Sequence, residues 1–240
     1  MIKVISFKIC PFVQRVTALL EAKNASYDIQ YIDLSNKPDW FMEISPNGQV
    51  PLLITELSEV LFESDAIVEY IEETISNPLF NSNPVKKAQE RAWSYLASKH
   101  YLVQCAAQRS KDKETLLERS HQLSKAFAKL EIKLTNSKFF SDDNLGMVDI
   151  AWLPLLHRVS IIEKYSGYDF INKFPKVKLL QKNILKTGLA EKSVSEDFED
   201  KFTAFYLSEE TYLGQCTKTK SGNACLGESE CQDQDFNCCS

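Results

Sequence analysis

Glycine is scarce, 7 in 240 residues, and only Gly48, Gly146, Gly167 and Gly188 precede Gly214. Neither GxGxxG nor GxxxxGKS/T occurs, so a glycine-rich phosphate cradle is excluded. Long apolar runs are missing too. The longest, Ala151 to Leu156, contains Pro154 and falls far short of the roughly 20 residues that cross a bilayer, so no membrane partner is expected. The opening MIKVISFKIC is interrupted by Lys8 and followed by Pro11 with no small-residue cleavage site. It reads as a strand rather than a signal peptide, and the chain is placed in the cytoplasm. Positive charge is in deficit, 28 Lys+Arg against 33 Asp+Glu for a net charge of −5, which argues against a nucleic-acid partner. His100, His121 and His157 are scattered without HExxH, so no metal site is expected. Cysteine is nearly absent from the body, where only Cys10 and Cys105 occur before Cys216, so the body is not a disulfide scaffold.

The remainder is ordinary globular material, 44% apolar and 25% charged. Residues 2–7 read as a strand, and Cys10-Pro11 opens a helix carrying Phe12, Val16, Leu19 and Leu20. Tyr27, Ile29 and Tyr31 alternate with polar residues as a second strand. Ser45-Pro46-Asn47-Gly48 marks a turn, 50–54 and 60–62 read as a hairpin, and Ser64-Asp65 is placed as the cap of a helix bearing Ile67, Val68, Ile71 and Ile75. This β-α-β-loop-β-β-α order is the thioredoxin-like one. Beyond the breaker-rich stretch 77–84, helical periodicity marks 85–109, 113–135, 147–164, 175–187 and 194–207. The expected class is α/β plus all-α: a thioredoxin-like domain over 1–76, a linker over 77–84 and an all-helical domain over 85–208. Residues 209–240 carry Cys216, Cys225, Cys231, Cys238 and Cys239 at spacings that match no zinc pattern, and read as a disordered tail.

Three places can carry chemistry. Cys10, where a strand turns into a helix, faces unpaired N–H groups and the positive dipole end, which favour a thiolate and predict a lowered pKa. A buried apolar cysteine is the plainer alternative. Position 13 is Val, so there is no C-x-x-C, and disulfide chemistry there needs an external thiol. Val50-Pro51 fits a cis peptide bond that exposes the Val50 backbone to an extended ligand, or a trans edge-strand proline. Glu63-Ser64 fits an N-cap, or a site where helix N–H groups take a carboxylate and Glu63 an amine.

The runs Cys10-Pro11-Phe12-Val13-Gln14-Arg15, Asn36-Lys37-Pro38-Asp39-Trp40-Phe41, Gly48-Gln49-Val50-Pro51-Leu52 and Phe62-Glu63-Ser64-Asp65-Ala66-Ile67 together resemble the glutathione transferases, most closely the cysteine-type omega class. Phe139-Phe140, Met147-Val148-Asp149 and Pro175-Lys176-Val177-Lys178-Leu179 extend the resemblance to about residue 207. It implies glutathione as co-substrate and a mixed disulfide at Cys10. The Val50 backbone, presented by cis-Pro51, would meet the cysteinyl unit, Glu63 and Ser64 the γ-glutamyl group and Lys37 the glycyl carboxylate, with Phe12 and Leu34 lining the site. It also implies a homodimer. One departure is Gly146, where the family usually has a Ser or Thr cap.

The leading expectation is therefore a glutathione-dependent thiol transferase or reductase, of dehydroascorbate-reductase-like type, acting on a small-molecule or glutathionylated acceptor. Conjugation of glutathione to electrophiles is the second reading, and a non-enzymatic, transcription-regulator-like interaction protein on the same fold is the third.

Overall fold

The computed structural model describes residues 1–218. Strand β1 (Ile2–Ser6) has Val4, Ile5 and Ser6 all buried, because both faces of the sheet are covered, and its alternation is correspondingly weak. It pairs in parallel with β2 (Tyr27–Tyr31), Ile2 opposite Tyr27, and antiparallel with β3 (Leu52–Ile54), which in turn pairs with β4 (Val60–Leu61). The order is β2-β1-β3-β4. Helix α1 (Pro11–Ala22) makes the parallel crossover and packs beside α3 (Ser64–Thr74), so that Val4 and Leu53 join one large core. Ile5 and Leu52 point the other way, into a small core closed by Phe41. Phe41 belongs to α2 (Asp39–Ile44), a segment with no helix assigned from sequence. Six residues are under two turns, too few to show a period.

The helical part comprises α4 (Pro84–Ser98), α5 (Tyr101–Gln108), α6 (Lys113–Lys133), α7 (Met147–Ser166), α8 (Pro175–Leu185), α9 (Leu189–Lys192), α10 (Phe198–Tyr206) and α11 (Tyr212–Lys218). The single helix expected over 85–109 is two, broken at Lys99 and His100. The break aims α5 at α7, where Pro154 interrupts the backbone ladder. Tyr101 donates to Ala151 O at 2.5 Å and Gln104 to Leu155 O at 3.0 Å. Helix α7 is buried on nearly every side, as a helix apolar all round must be.

The tail assignment needs correcting at its start. Periodicity faded after Leu207, yet α11 packs on α7, buries Leu213 and Cys216, and is tied down by Tyr212 N–H donating to Ser110 O at 2.8 Å. Cys216 is disulfide-bonded, whereas Cys10 and Cys105 are free thiols. The tail assignment from residue 219 onward lies outside the described residues.

Asp149 recovers half of the cap that Gly146 lacks, since its carboxylate accepts from Gly146 N–H at 2.9 Å and from Phe140 N–H at 2.9 Å. Burial pushes this carboxyl up to about 7, against those two donors. A Cβ added at Gly146 would meet no atom closer than 3.6 Å. Gly146→Ser is therefore expected to stabilise the chain by a few tenths of a kcal/mol, read from the urea midpoint, and a lower midpoint would refute the cap argument.

Candidate active site

Cys10 is the N-cap of α1, with φ −75° and ψ 122°, and Pro11 takes the first helical position. Its N–H donates to Phe7 O at 3.0 Å and its carbonyl accepts from Gln14 N–H at 3.1 Å, so the backbone is fixed on both sides of the thiol. Burial pushes the Cys10 thiol up to about 11, against the N–H groups of Val13 and Phe12 and the positive charge of Arg158, all of which lower it. The lowered pKa expected from the helix terminus is thus reversed by burial. The dipole is there, but the packing behind the half-buried sulfur removes part of its solvation and penalises the anion more.

A cleft of about 380 Å³ opens in front of Cys10. All eight candidate residues, Cys10, Phe12, Leu34, Lys37, Val50, Pro51, Glu63 and Ser64, line it. The Val50-Pro51 bond is cis. The chain reaches it through Gly48, whose φ of +58° sits in the left-handed region and whose N–H donates to Ser45 O at 3.2 Å. A side chain there would run against Met42 and the ammonium of Lys37, at 3.3 and 3.5 Å from an added Cβ. Among the described residues the backbone of Val50 makes no backbone hydrogen bond, so its N–H and C=O are available as a strand edge.

The α3 end differs from the expected cap. Glu63, not Ser64, occupies the N-cap, at φ +63° and ψ 114°, and Ser64 is the first helical residue. A non-glycine residue at positive φ is costly and needs its surroundings to hold it. Here Asn47 donates to Glu63 Oε1 at 3.0 Å and Glu63 O accepts from Ile67 N–H at 2.9 Å. The turn directs the orphan N–H groups of the first turn of α3 toward the cleft, beside exposed Glu63 and across from exposed Lys37. Asp65 also lines the cleft and pairs with buried Arg15.

Sequence reasoning did not assign Ser45, Asn47, Gly48, Gln49, Phe62, Asp65 and Leu102 to the site, though all line the cleft. Ser45, Asn47 and Gly48 belong to the recognised turn, Gln49 follows it, and Phe62 and Asp65 adjoin Glu63-Ser64, so all six could have been included with those motifs. Leu102 comes from α5, and no local signal announces a wall contributed by a distant helix. Phe12 meets the same helix edge-on through Tyr101, ring centroids 5.0 Å apart. The cleft thus joins one thiol, one backbone edge, a cation, a helix N-terminus and a carboxylate. That set complements an extended ligand with two carboxylates, one ammonium and sulfur chemistry at its middle.

Comparison with known proteins gives the same direction. Residues 9–74 match the family model described as glutathione S-transferase, N-terminal domain, and residues 93–196 the one described as glutathione S-transferase, C-terminal domain. The chain is 34% identical over 181 residues to glutathione S-transferase omega-1 of Rattus norvegicus, covering 74% of each chain. It is 26% identical to a protein of Oryza sativa subsp. japonica named probable glutathione S-transferase DHAR1, cytosolic, covering 81% of this chain and 91% of that one. Among solved structures, the rice glutathione transferase OsGSTU1 in complex with glutathione superposes with a TM-score of 0.72 at 19% identity, over 91% of this chain and 97% of the other.

Proposed function

The chain belongs to the glutathione S-transferase family, and from that premise we propose that it is an omega-type, glutathione-dependent thiol transferase or reductase with Cys10 as its nucleophile. The observation that carries the reading is the cysteine at the N-cap of α1, inside the cleft that holds the Val50 edge, Lys37 and the start of α3.

The Val50 N–H and C=O pair with the cysteinyl unit of glutathione, the first turn of α3 with Ser64 takes the γ-glutamyl carboxylate, Glu63 its ammonium, and Lys37 the glycyl carboxylate. Phe12 and Leu34 pack against the remainder. Held in this way, the glutathione sulfur of a mixed disulfide lies at Cys10. The Cys10 thiolate attacks that sulfur, the old S–S bond breaks, and the acceptor leaves as a thiolate that takes a proton from water. A second glutathione thiolate then attacks the glutathione sulfur of the Cys10 disulfide, releasing glutathione disulfide and regenerating Cys10. One enzyme thiol suffices. An oxidised small molecule such as dehydroascorbate enters the cycle through its carbonyl: the Cys10 thiolate adds to it as a thiohemiketal, a glutathione thiolate attacks the Cys10 sulfur, the C–S bond breaks and its electron pair leaves with the reduced, protonated molecule, and the Cys10–glutathione disulfide that remains is reduced by a second glutathione as above. The purified chain is expected to bind immobilised glutathione and to reduce a glutathione mixed disulfide, and absence of both would overturn the reading.

The charge complement is tested separately. Lys37→Gln and Glu63→Gln are each expected to weaken glutathione binding about tenfold, as loss of one charge-assisted hydrogen bond does. Both side chains are exposed, so stability should stay within about 0.5 kcal/mol of the parent chain. Unchanged affinity in both variants, measured by calorimetry, would remove them from the site.

A further inference from the structure

Arg158 of α7 is fully buried, yet among the described residues no carboxylate pairs with it. Its Nη2 donates to Ile9 O at 3.2 Å, its Nη1 to Pro154 O at 3.0 Å and to the Oε1 of Gln14, and its Nε has no hydrogen-bond partner. Phe198 and Phe202 cover it, ring centroids 5.3 and 6.0 Å from the guanidinium carbon. A guanidinium stays charged when buried, and a buried charge without a counter-charge is an expense that proteins rarely carry without use. Ile9 immediately precedes Cys10, and Gln14 lies one turn after it, so Arg158 grips the chain on both sides of the thiol.

We propose that Arg158 is a positioning residue whose buried charge serves as the counter-charge of the Cys10 thiolate and whose fork fixes the turn that carries it. The proposal rests on Cys10 being the reacting thiol.

Two thiols face the guanidinium, Cys105 and Cys10, and of the two only Cys10 lines the cleft where a substrate reaches it. From α5 come Tyr101 and Cys105, and from α10 comes Tyr206. Burial holds both phenols protonated far above neutral pH. The Tyr101 hydroxyl is spent on Ala151 O, and Tyr206 hydrogen-bonds with Cys105. On the open side the charged groups of the cleft are Lys37, Glu63 and Asp65, the last already paired with Arg15. The side chain at position 14 fits the same logic. The Gln14 Nε2 donates to Ala190 O at 3.3 Å, an atom that can only accept, and contacts His157 Nδ1 at 2.9 Å and Ser193 Oγ at 3.3 Å. Its Oε1 is thereby turned to Arg158 as a neutral acceptor. A carboxylate in that place would cancel the charge the thiol uses.

The test is alkylation of Cys10 by iodoacetamide in the full chain, followed by peptide mass from pH 7 to 10, in the parent, Arg158→Met, Arg158→Lys and Gln14→Glu. One unit of pKa changes the thiolate fraction about tenfold, and the greater nucleophilicity of the more basic thiolate offsets part of that. Arg158→Met and Gln14→Glu are expected to slow alkylation about three- to tenfold at pH 8 and to move the pH profile upward. Arg158→Lys should recover most of the rate. Parental rates in Arg158→Met and Gln14→Glu would overturn the proposal, as would a folded Arg158→Lys as slow as Arg158→Met, which would leave only a structural role. If Arg158→Met does not fold, Gln14→Glu, nearly isosteric and still holding the guanidinium, decides alone. No glutathione enters the assay, so retention on immobilised glutathione, measured in parallel, tests the functional reading independently.

Discussion

Cys10→Ser is expected to lose turnover of a glutathione mixed disulfide by on the order of a thousandfold or more, because a hydroxyl cannot accept the glutathionyl sulfur and the step that divides the reaction in two disappears. The fold should survive. The side chain makes no cap hydrogen bond, and the substitution changes one atom of similar size. Retained turnover would defeat the assignment of the nucleophile. The pH dependence sharpens the expectation. With the thiol pushed up to about 11 by burial, a small fraction is ionised at neutrality, and alkylation of Cys10 should climb roughly tenfold per pH unit from 7 to 9 without levelling off. A plateau near pH 6 would mean that the helix terminus prevails over burial. Stability follows the same sign. The native chain keeps a proton that the unfolded chain releases near its ordinary value of 9.0, so this group's contribution is present below that pH and is lost as the pH rises toward about 11.

Local chemistry was legible in the sequence, and tertiary placement was not. Cys10-Pro11, Val50-Pro51 and Glu63-Ser64 each announce themselves because a turn, a cap or a proline constrains its immediate neighbours, and the structure brings all of them to one cleft. Short elements escaped: α2 has too few residues for a period, and α11 follows a stretch where periodicity fails although Leu213 and Cys216 are buried. The expected thiol pKa failed for a related reason, since the dipole is a property of the helix but burial is a property of everything packed behind it. Arg158 did leave a signal. A charge inside Leu155-Leu156-His157-Arg158-Val159, on a helix apolar all round, demands a buried partner. The sequence does not say that the partner lies in the first domain.

The largest loss of stability is expected at a pair that touches neither cleft nor thiol. Lys23, at the end of α1, and Glu72, in the last turn of α3, form an ion pair at 2.8 Å with side chains 0% and 2% exposed. Lys23 also donates to the carbonyls of Ile75, Ser76 and Asn77 at 3.1, 3.3 and 2.9 Å. The other oxygen of Glu72 accepts from Leu79 N–H at 2.7 Å and Phe80 N–H at 2.8 Å. Residues 75–80 of the connection between α3 and α4, which local composition marks only as polar and breaker-rich, are thus fastened by two side chains. Glu72→Ala removes the counter-charge of a buried ammonium and leaves two N–H groups unpaired, and should cost about 3–5 kcal/mol in urea denaturation. A loss below about 1 kcal/mol would show that water reaches the pair. Lys23→Met leaves the Glu72 carboxylate with its two backbone donors but no counter-charge, and three carbonyls without their donor, and should cost a similar amount, whereas the double variant Lys23→Met/Glu72→Gln should recover part of the single-variant loss, since no uncompensated charge remains. Because this clamp sets how the helical part meets the first domain, and Leu102 of that part walls the cleft, glutathione affinity is expected to fall in Glu72→Ala even at temperatures where the variant stays folded.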